Sequence, residues 1–367
     1  MEGLLDHELV IVAGKGGVGK TTTSSAIALE AARLGRRTLL VTVDPAKRLE
    51  DSLGVAVGFS ETSVQPGLTA MMLDPEAVVR EHLAKRLPEA KVTEHPLFKY
   101  VTGTMPGLNE LMAIGKLNDL RREGRFDLIV VDTAPTGHAL SFLSVPKAMK
   151  EIMSERSLLR WALRGYQVWQ RVQGAAKNVQ NAFRLRKDRT APPDVDLEAV
   201  FGDIQQEAEH VQDFLTDARR SVLVLVTLPE KMPVEETLDL HRAVTGDLGM
   251  TVHVVVVNKV QPDALQGVEE RFDALAGDPV ARSAFIAKAA EATGEPEALL
   301  EAILDATAFG EVRRAMNVGF IKDLQTRLDA PLVGVPLFPQ DVQGLRRLEA
   351  FRKELFDATN VLGRPAA

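Results

Sequence analysis

The 367-residue sequence contains no cysteine. That absence removes disulfides, thiolate zinc sites, iron–sulfur clusters and cysteine nucleophiles from consideration. An excess of basic residues is also missing. The formal net charge is −7, so a phosphate backbone meets no general attraction and nucleic acid is not an expected partner. No apolar run reaches the ~18–20 residues that a bilayer-crossing helix requires. The longest, "VHVVVV" (252–257), has the length of a strand. The opening "MEGLLDHELVIVA" carries acid where a secretory signal carries base. These absences lead to the expectation of a cytoplasmic protein, with peripheral attachment to a membrane as its variant.

What is present is ordinary for a globular chain: 45% apolar and 26% charged residues, and a length that accommodates two or three domains. Short runs rich in β-branched residues recur at 8–13, 37–43, 68–73, 126–131, 221–227, 250–257 and 331–337. Most are continuously apolar, the pattern of strands covered on both faces. Helix-like segments such as 24–34 and 236–248 separate them. The alternation predicts an α/β fold with a mostly parallel central sheet flanked by helices. Residues 76–125 and 146–220 break the rhythm with helical patterning and return to the sheet, as an inserted helical subdomain would. Residues 1–75, 126–145 and 221–361 then form a discontinuous core domain, and 362–367 a flexible tail. A third helical interval spans 262–328, and the polar "RLRKDRTAPPDVD" (184–196) reads as a loop.

The stretch "AGKGGVGKTT" (13–22) follows the first expected strand and opens the first helix. Its spacing, Gly14 to Gly19-Lys20-Thr21, fits a phosphate-binding loop of the P-loop NTPase fold. Glycines let backbone amides curl around phosphate oxygens, and the helix N-terminus adds partial positive charge. Gly14, Lys15, Gly16, Gly17, Val18, Gly19, Lys20, Thr21 and Thr22 are therefore the expected nucleotide contacts. Lys20 reaches the β- and γ-phosphates, Thr21 ligates Mg²⁺, and Thr22 offers a hydroxyl to the α-phosphate.

The extra lysine, Lys15, makes "GKGGVGKT" resemble the deviant Walker A motif of MinD proteins, partition ATPases, nitrogenase iron protein and the ArsA-type ATPases. That resemblance implies a homodimer in which Lys15 reaches the partner's nucleotide, as an arginine finger does. Further stretches narrow it to the ArsA-type and tail-anchored-protein-targeting ATPases. "VTVDPAKRLEDSLG" (41–54) is similar to the family's switch I and implies that Asp44 orients the attacking water. "LIVVDTAPTGHALSFLSVP" (128–146) resembles a Walker B strand with its switch II: Asp132 would hold Mg²⁺ through water, and His138 would have a structural or switch role. "VVVVNKV" (254–260) places Asn258 where the family reads adenine, and "GVPLFPQDVQGLRRL" (334–348) resembles the adenine-side loop, with Pro336 and Phe338 walling the base. "TLPEKMPVEETLDL" (227–240) implies a nucleotide contact from Glu236 across the dimer.

The implied cofactors are ATP or ADP and Mg²⁺, with neither zinc nor a cysteine-based metal site. The implied activity is ATP hydrolysis by a homodimeric switch that opens and closes the helical subdomain. For its work, "SLLRWALRGYQVWQRV" (157–172) stands out. It holds both tryptophans, Trp161 and Trp169, and Arg160 and Arg164, which with Arg156 just before it form a stripe. Residues 151–190 carry nine basic against three acidic side chains. An amphipathic core helix, a groove edge for a hydrophobic helical client or membrane-protein partner, and a membrane-docking face all fit. Met105, Met112, Met149 and Met153 suit an adaptable surface or a core equally. Two other readings stand beside this one: the ATPase subunit of an anion or arsenite efflux system, and a MinD- or partition-like positioning switch. The first lacks the family's thiolates. The second lacks a basic C-terminal membrane helix.

Overall fold

Residues 1–44, 48–84, 107–134, 136–154, 197–357 and 362 are described by a computed structural model of the chain. Their strands form a single sheet: β1 (Leu9–Gly14), β2 (Thr38–Thr42), β3 (Thr62–Gln65), β4 (Leu68–Met72), β5 (Leu128–Asp132), β6 (Ser221–Thr227), β7 (Val252–Val260) and β8 (Leu332–Pro336). Their spatial order is β3-β4-β2-β5-β1-β6-β7-β8, and every pairing is parallel except β3 with β4.

The continuous apolar runs are strands with two covered faces, as their composition requires. Leu9, Ile11 and Ala13 of β1 join one core, with Ile129, Val131, Leu223, Leu225, Val255 and Val257. The alternate residues Val10 and Val12 join the opposite core, with Val130, Val224, Val226, Val256 and Val335. The helices are α1 (Lys20–Arg33), α2 (Arg48–Leu53), α3 (Pro75–Ala84), α4 (Leu108–Arg122), α5 (Thr136–Ser154), α6 (Leu197–Thr216), α7 (Lys231–Arg242), α8 (Glu269–Gly277), α9 (Pro279–Thr293), α10 (Glu297–Arg327) and α11 (Gly344–Phe356). α1, α2 and α11 cover the second core; α4 to α7 and the end of α10 cover the first.

Two features differ from the sequence expectations. β3 was not foreseen, because it is a half-exposed edge strand of four residues that pairs on one side only. The helix expected at 236–248 begins earlier, at Lys231, and ends in a π-helical turn over Ala243–Asp247. The expected domain boundary at 145/146 falls inside α5, which carries Pro146 without ending there. The described helices of the two insertions pack on one another and on the sheet, since Leu111, Phe142, Ile204 and Phe214 share a core with Ile11 and Leu223. Met112 and Met149 lie in that core. Leu362, the expected first residue of the tail, donates its N–H to the Leu332 carbonyl at 3.0 Å. The 157–172 stretch with its tryptophans and arginines, the 184–196 stretch read as a loop, Met105 and 363–367 lie outside the described residues, as does the side chain of Met153.

The order of strands positions the site. The chain leaves β1 toward β2 on one side and reaches β6 and β7 on the other. Connections diverging from a central strand open a crevice at the carboxyl ends of the strands, where α/β proteins bind ligands.

Candidate nucleotide site

The glycine loop begins at the carboxyl end of β1. A Cβ on Gly14 would collide with the carbonyl oxygen of Val226 on β6, so only glycine lets the two strands lie this close. Gly19, at φ 100°, turns the chain into α1. α1 has no side-chain cap and no acidic residue in its first turn, so its leading N–H groups remain available to an anion. Gly16 and Gly17 are exposed and Val18 is buried, which anchors the loop by its one apolar side chain. Lys20 is buried, and its ammonium donates to the Lys15 carbonyl at 3.0 Å. Burial lowers its pKa, an effect that nearby Asp132 opposes.

Beside the loop, Val12 of β1 and Thr42 of β2 are both in register with Asp132 of β5. The register brings Asp132 to Thr21: the threonine hydroxyl donates to Asp132 Oδ2 at 2.8 Å, and Thr42 Oγ1 approaches the same oxygen at 3.4 Å. Asp132 Oδ1 is buried with no hydrogen-bond partner. Burial is the main reason the Asp132 carboxyl is pushed up to about 6, against the hydrogen bond from Thr21. Asp44 leaves the end of β2, its N–H bonded to Thr42 Oγ1 at 3.2 Å and its carboxylate 3.5 Å from Arg48. Arg48 was not singled out in the sequence, although its spacing of four residues from Asp44 at the start of a helix was a visible signal.

A cleft of about 340 Å³ runs from the loop to the β8–α11 connection. Gly17, Lys20, Thr21, Thr22 and Arg48 line it from the loop, α1 and α2, and Asn258, Pro336, Phe338, Asp341 and Phe351 from the end of β7, the β8–α11 connection and α11. The Phe338 and Phe351 rings lie 5.8 Å apart, a tilted pair that closes the apolar end. Asn258 is buried and bonded on both sides. Its amide nitrogen donates to the Val18 carbonyl at 2.8 Å, and its oxygen accepts from the Lys259 N–H at 2.9 Å.

Lys15 takes a different direction. Its ammonium lies 2.7 Å from Glu236 Oε1 of the same chain, with both side chains about one-third exposed. Sequence reasoning placed these two residues in one site but not in contact. The structure thus gathers Lys20, Thr21, Asp132 and Asp44 at the loop, brings Asn258, Pro336 and Phe338 onto the cleft that Lys20 and Thr21 line, and pairs Lys15 with Glu236. The His138 side chain lies outside the described residues.

Residues 7–275 match a protein family described as anion-transporting ATPase. An arsenical pump-driving ATPase by name, from Prosthecochloris vibrioformis, is 32% identical over 268 residues, covering 67% of this chain and 60% of that protein. The protein named ATPase ASNA1 homolog 1 of Paramecium tetraurelia is 29% identical over 259 residues, 68% of this chain and 74% of its own length. The protein named ATPase GET3 of Malassezia globosa is 27% identical over 266 residues, 71% and 76% respectively. The match thus spans about 60% of the length of the pump-driving relative.

Proposed function

We propose that this chain, which belongs to the anion-transporting ATPase family, is a Mg²⁺-dependent ATPase that works as a homodimeric switch. The observation that carries the reading is the Thr21–Asp132 pair at the glycine loop, with Asp132 Oδ1 buried and unpartnered. A hydroxyl beside a carboxylate is a hard oxygen donor set, suited to Mg²⁺ that keeps most of its water and phosphate ligands. Among the described residues there is no cluster of three or more His, Cys, Asp or Glu that would form an all-protein metal cage. When bound, Mg²⁺ offsets charge on the β- and γ-phosphates.

The chain's own groups do the rest. Backbone amides of Gly16 to Thr22 cradle phosphate oxygens, and Lys20 exchanges the Lys15 carbonyl for phosphate. Asp44, steadied by Arg48, accepts a hydrogen bond from the attacking water and fixes its approach. Pro336, Phe338 and the remaining hydrogen-bonding capacity of Asn258 hold the base. Lys15 serves the partner subunit's phosphates, for which it must leave Glu236. A pair exposed by about one-third is worth only ~0–1 kcal/mol, so exchanging it for a triphosphate is favourable. Glu236 is then released toward the partner's nucleotide.

Residues 76–125 and 146–220 are the subdomain that this cycle moves, and its work is the handling of hydrophobic membrane-protein segments. Relatives named GET3 and ASNA1 homolog favour this over a positioning switch. Turnover of Asp44→Asn and Lys15→Ala tests the mechanism: each is expected to lose at least ~100-fold, and wild-type rates in both refute it. A transmembrane peptide should be captured in one nucleotide state and released in another; capture in none refutes the client role. The name arsenical pump-driving ATPase favours a second reading, efflux. Turnover that rises on adding arsenite would support it, despite the absence of cysteine.

A further inference from the structure

We propose that Asn258 is a positioning residue for the phosphate loop, acting on phosphate binding whether or not a base is present. The inference rests on the nucleotide-site reading above but goes beyond a base contact. Four observations converge on it. The Asn258 amide donates to the Val18 carbonyl, in the middle of the loop and 240 residues away in sequence. Gly19 packs so closely on that amide that a Cβ there would strike it. The Asn258 oxygen is held by the N–H of Lys259, which at φ 58° is the sole non-glycine residue among those described with a positive φ. The β7–β8 register shifts between Val257 and Val260, so the strand bulges at Asn258 and Lys259.

Each part has a physical role. The bulge turns Asn258 out of the ladder and toward the loop. The left-handed Lys259 costs energy that the Asn258 oxygen helps offset. Beyond the bulge, Val260 pairs with Pro336 and accepts from the Leu337 N–H at 2.8 Å. A continuous path therefore runs from the base wall through β7 and Asn258 to Val18. A glycine-rich loop has much conformational freedom to lose on gripping phosphate. Fixing its central carbonyl removes part of that cost before the ligand arrives.

The test separates a loop bracket from a base reader by using a ligand without a base. Dissociation constants for ATP, GTP and inorganic tripolyphosphate, each with Mg²⁺, are measured for wild type, Asn258→Asp and Asn258→Ala. Amide hydrogen exchange across residues 14–22 is measured on the same proteins without nucleotide. Asn258→Asp is close to isosteric and keeps an acceptor for Lys259, but its carboxylate cannot donate to Val18. The expected result is a loss for tripolyphosphate of about 10- to 100-fold for an orphaned buried acceptor, and a loss for ATP at least as large, since ATP also forfeits the base contact of Asn258. Exchange should quicken in the loop and stay unchanged in β1 and β6. Binding by Asn258→Asp, relative to wild type, should recover as pH falls and the introduced carboxyl gains a proton to donate. Unchanged tripolyphosphate binding with weakened ATP, or unchanged loop exchange, overturns the proposal. Wild-type protein that binds none of the three ligands overturns the nucleotide reading instead, while loop exchange still decides the role of Asn258.

Discussion

Asp132 sits at the end of a central strand with one carboxylate oxygen bonded to Thr21 and the other unpaired, and burial holds its pKa near 6. The folded value lies above the ~3.9 of an unfolded aspartate. Asp132 therefore contributes stability below about pH 4 that is lost as pH rises through 6. Without nucleotide or Mg²⁺, Asp132→Asn should be more stable than wild type at about pH 8, by up to ~3 kcal/mol, and the gap should close toward pH ~4. Urea midpoints at the two pH values check this; equal midpoints at the higher pH would refute it. Turnover should move the other way, since the asparagine lacks the charge that attracts a cation. Gly14→Ala should cost ~3 kcal/mol or prevent folding, because its Cβ meets backbone rather than a movable side chain. Circular dichroism melting of that variant reads the effect. The places of Gly14, Lys20, Thr21 and Asp132 at the ends of β1 and β5 and the start of α1 were legible in the sequence, since they follow from spacing along single elements. The contact of Lys15 with Glu236, and of Asn258 with Val18, was not, because each joins segments more than two hundred residues apart.

Between elements, the link that matters most to the cleft joins α1 to α11. Arg352 of α11 is buried and bonds both Glu30 of α1 and Glu349 of its own helix, the latter at 2.7 Å, while Glu30 also accepts from Arg33 at 2.7 and 2.8 Å. Phe351, the neighbour of Arg352, lines the same cleft as Lys20, Thr21 and Thr22 of α1. Arg352→Ala leaves the buried Glu30 with one cation instead of two. It should destabilise the protein by about 3 kcal/mol and weaken nucleotide binding. Denaturant unfolding and nucleotide titration measure the two effects; unchanged values in both would show that the link holds nothing. The hydrogen bond and charge of Arg33 and Arg352 lower the pKa of Glu30, so its stabilisation is present above the usual glutamate range and lost as pH falls through its folded value. The central strands were readable because burial on two faces demands unbroken apolar runs. β3 was not, since an edge strand half in water carries no such signature.

For the whole molecule, quaternary structure is the sharpest expectation. Asp44→Asn with ATP and Mg²⁺ should sediment as a dimer, and Lys15→Ala under the same conditions should shift toward monomer, because the proposed dimer relies on Lys15 to bridge subunits. Analytical ultracentrifugation decides, and a monomer for Asp44→Asn in every nucleotide state would refute the switch. No helix among the described residues is long and apolar enough to cross a membrane. α10 nevertheless exposes Leu299, Ile303, Phe309, Val312 and Met316, and only its last turns reach the core through Ile321 and Leu324. The sequence by itself determined the α/β class, the glycine loop between β1 and α1, and the aspartate that ends β5, because these depend on periodicity and on groups a few residues apart. Only the tertiary structure decided where Lys15 points, what Asn258 holds, and how α11 braces α1. Those are contacts between strand ends and helices brought together by sheet order, and the order of strands is set by the packing of the whole core.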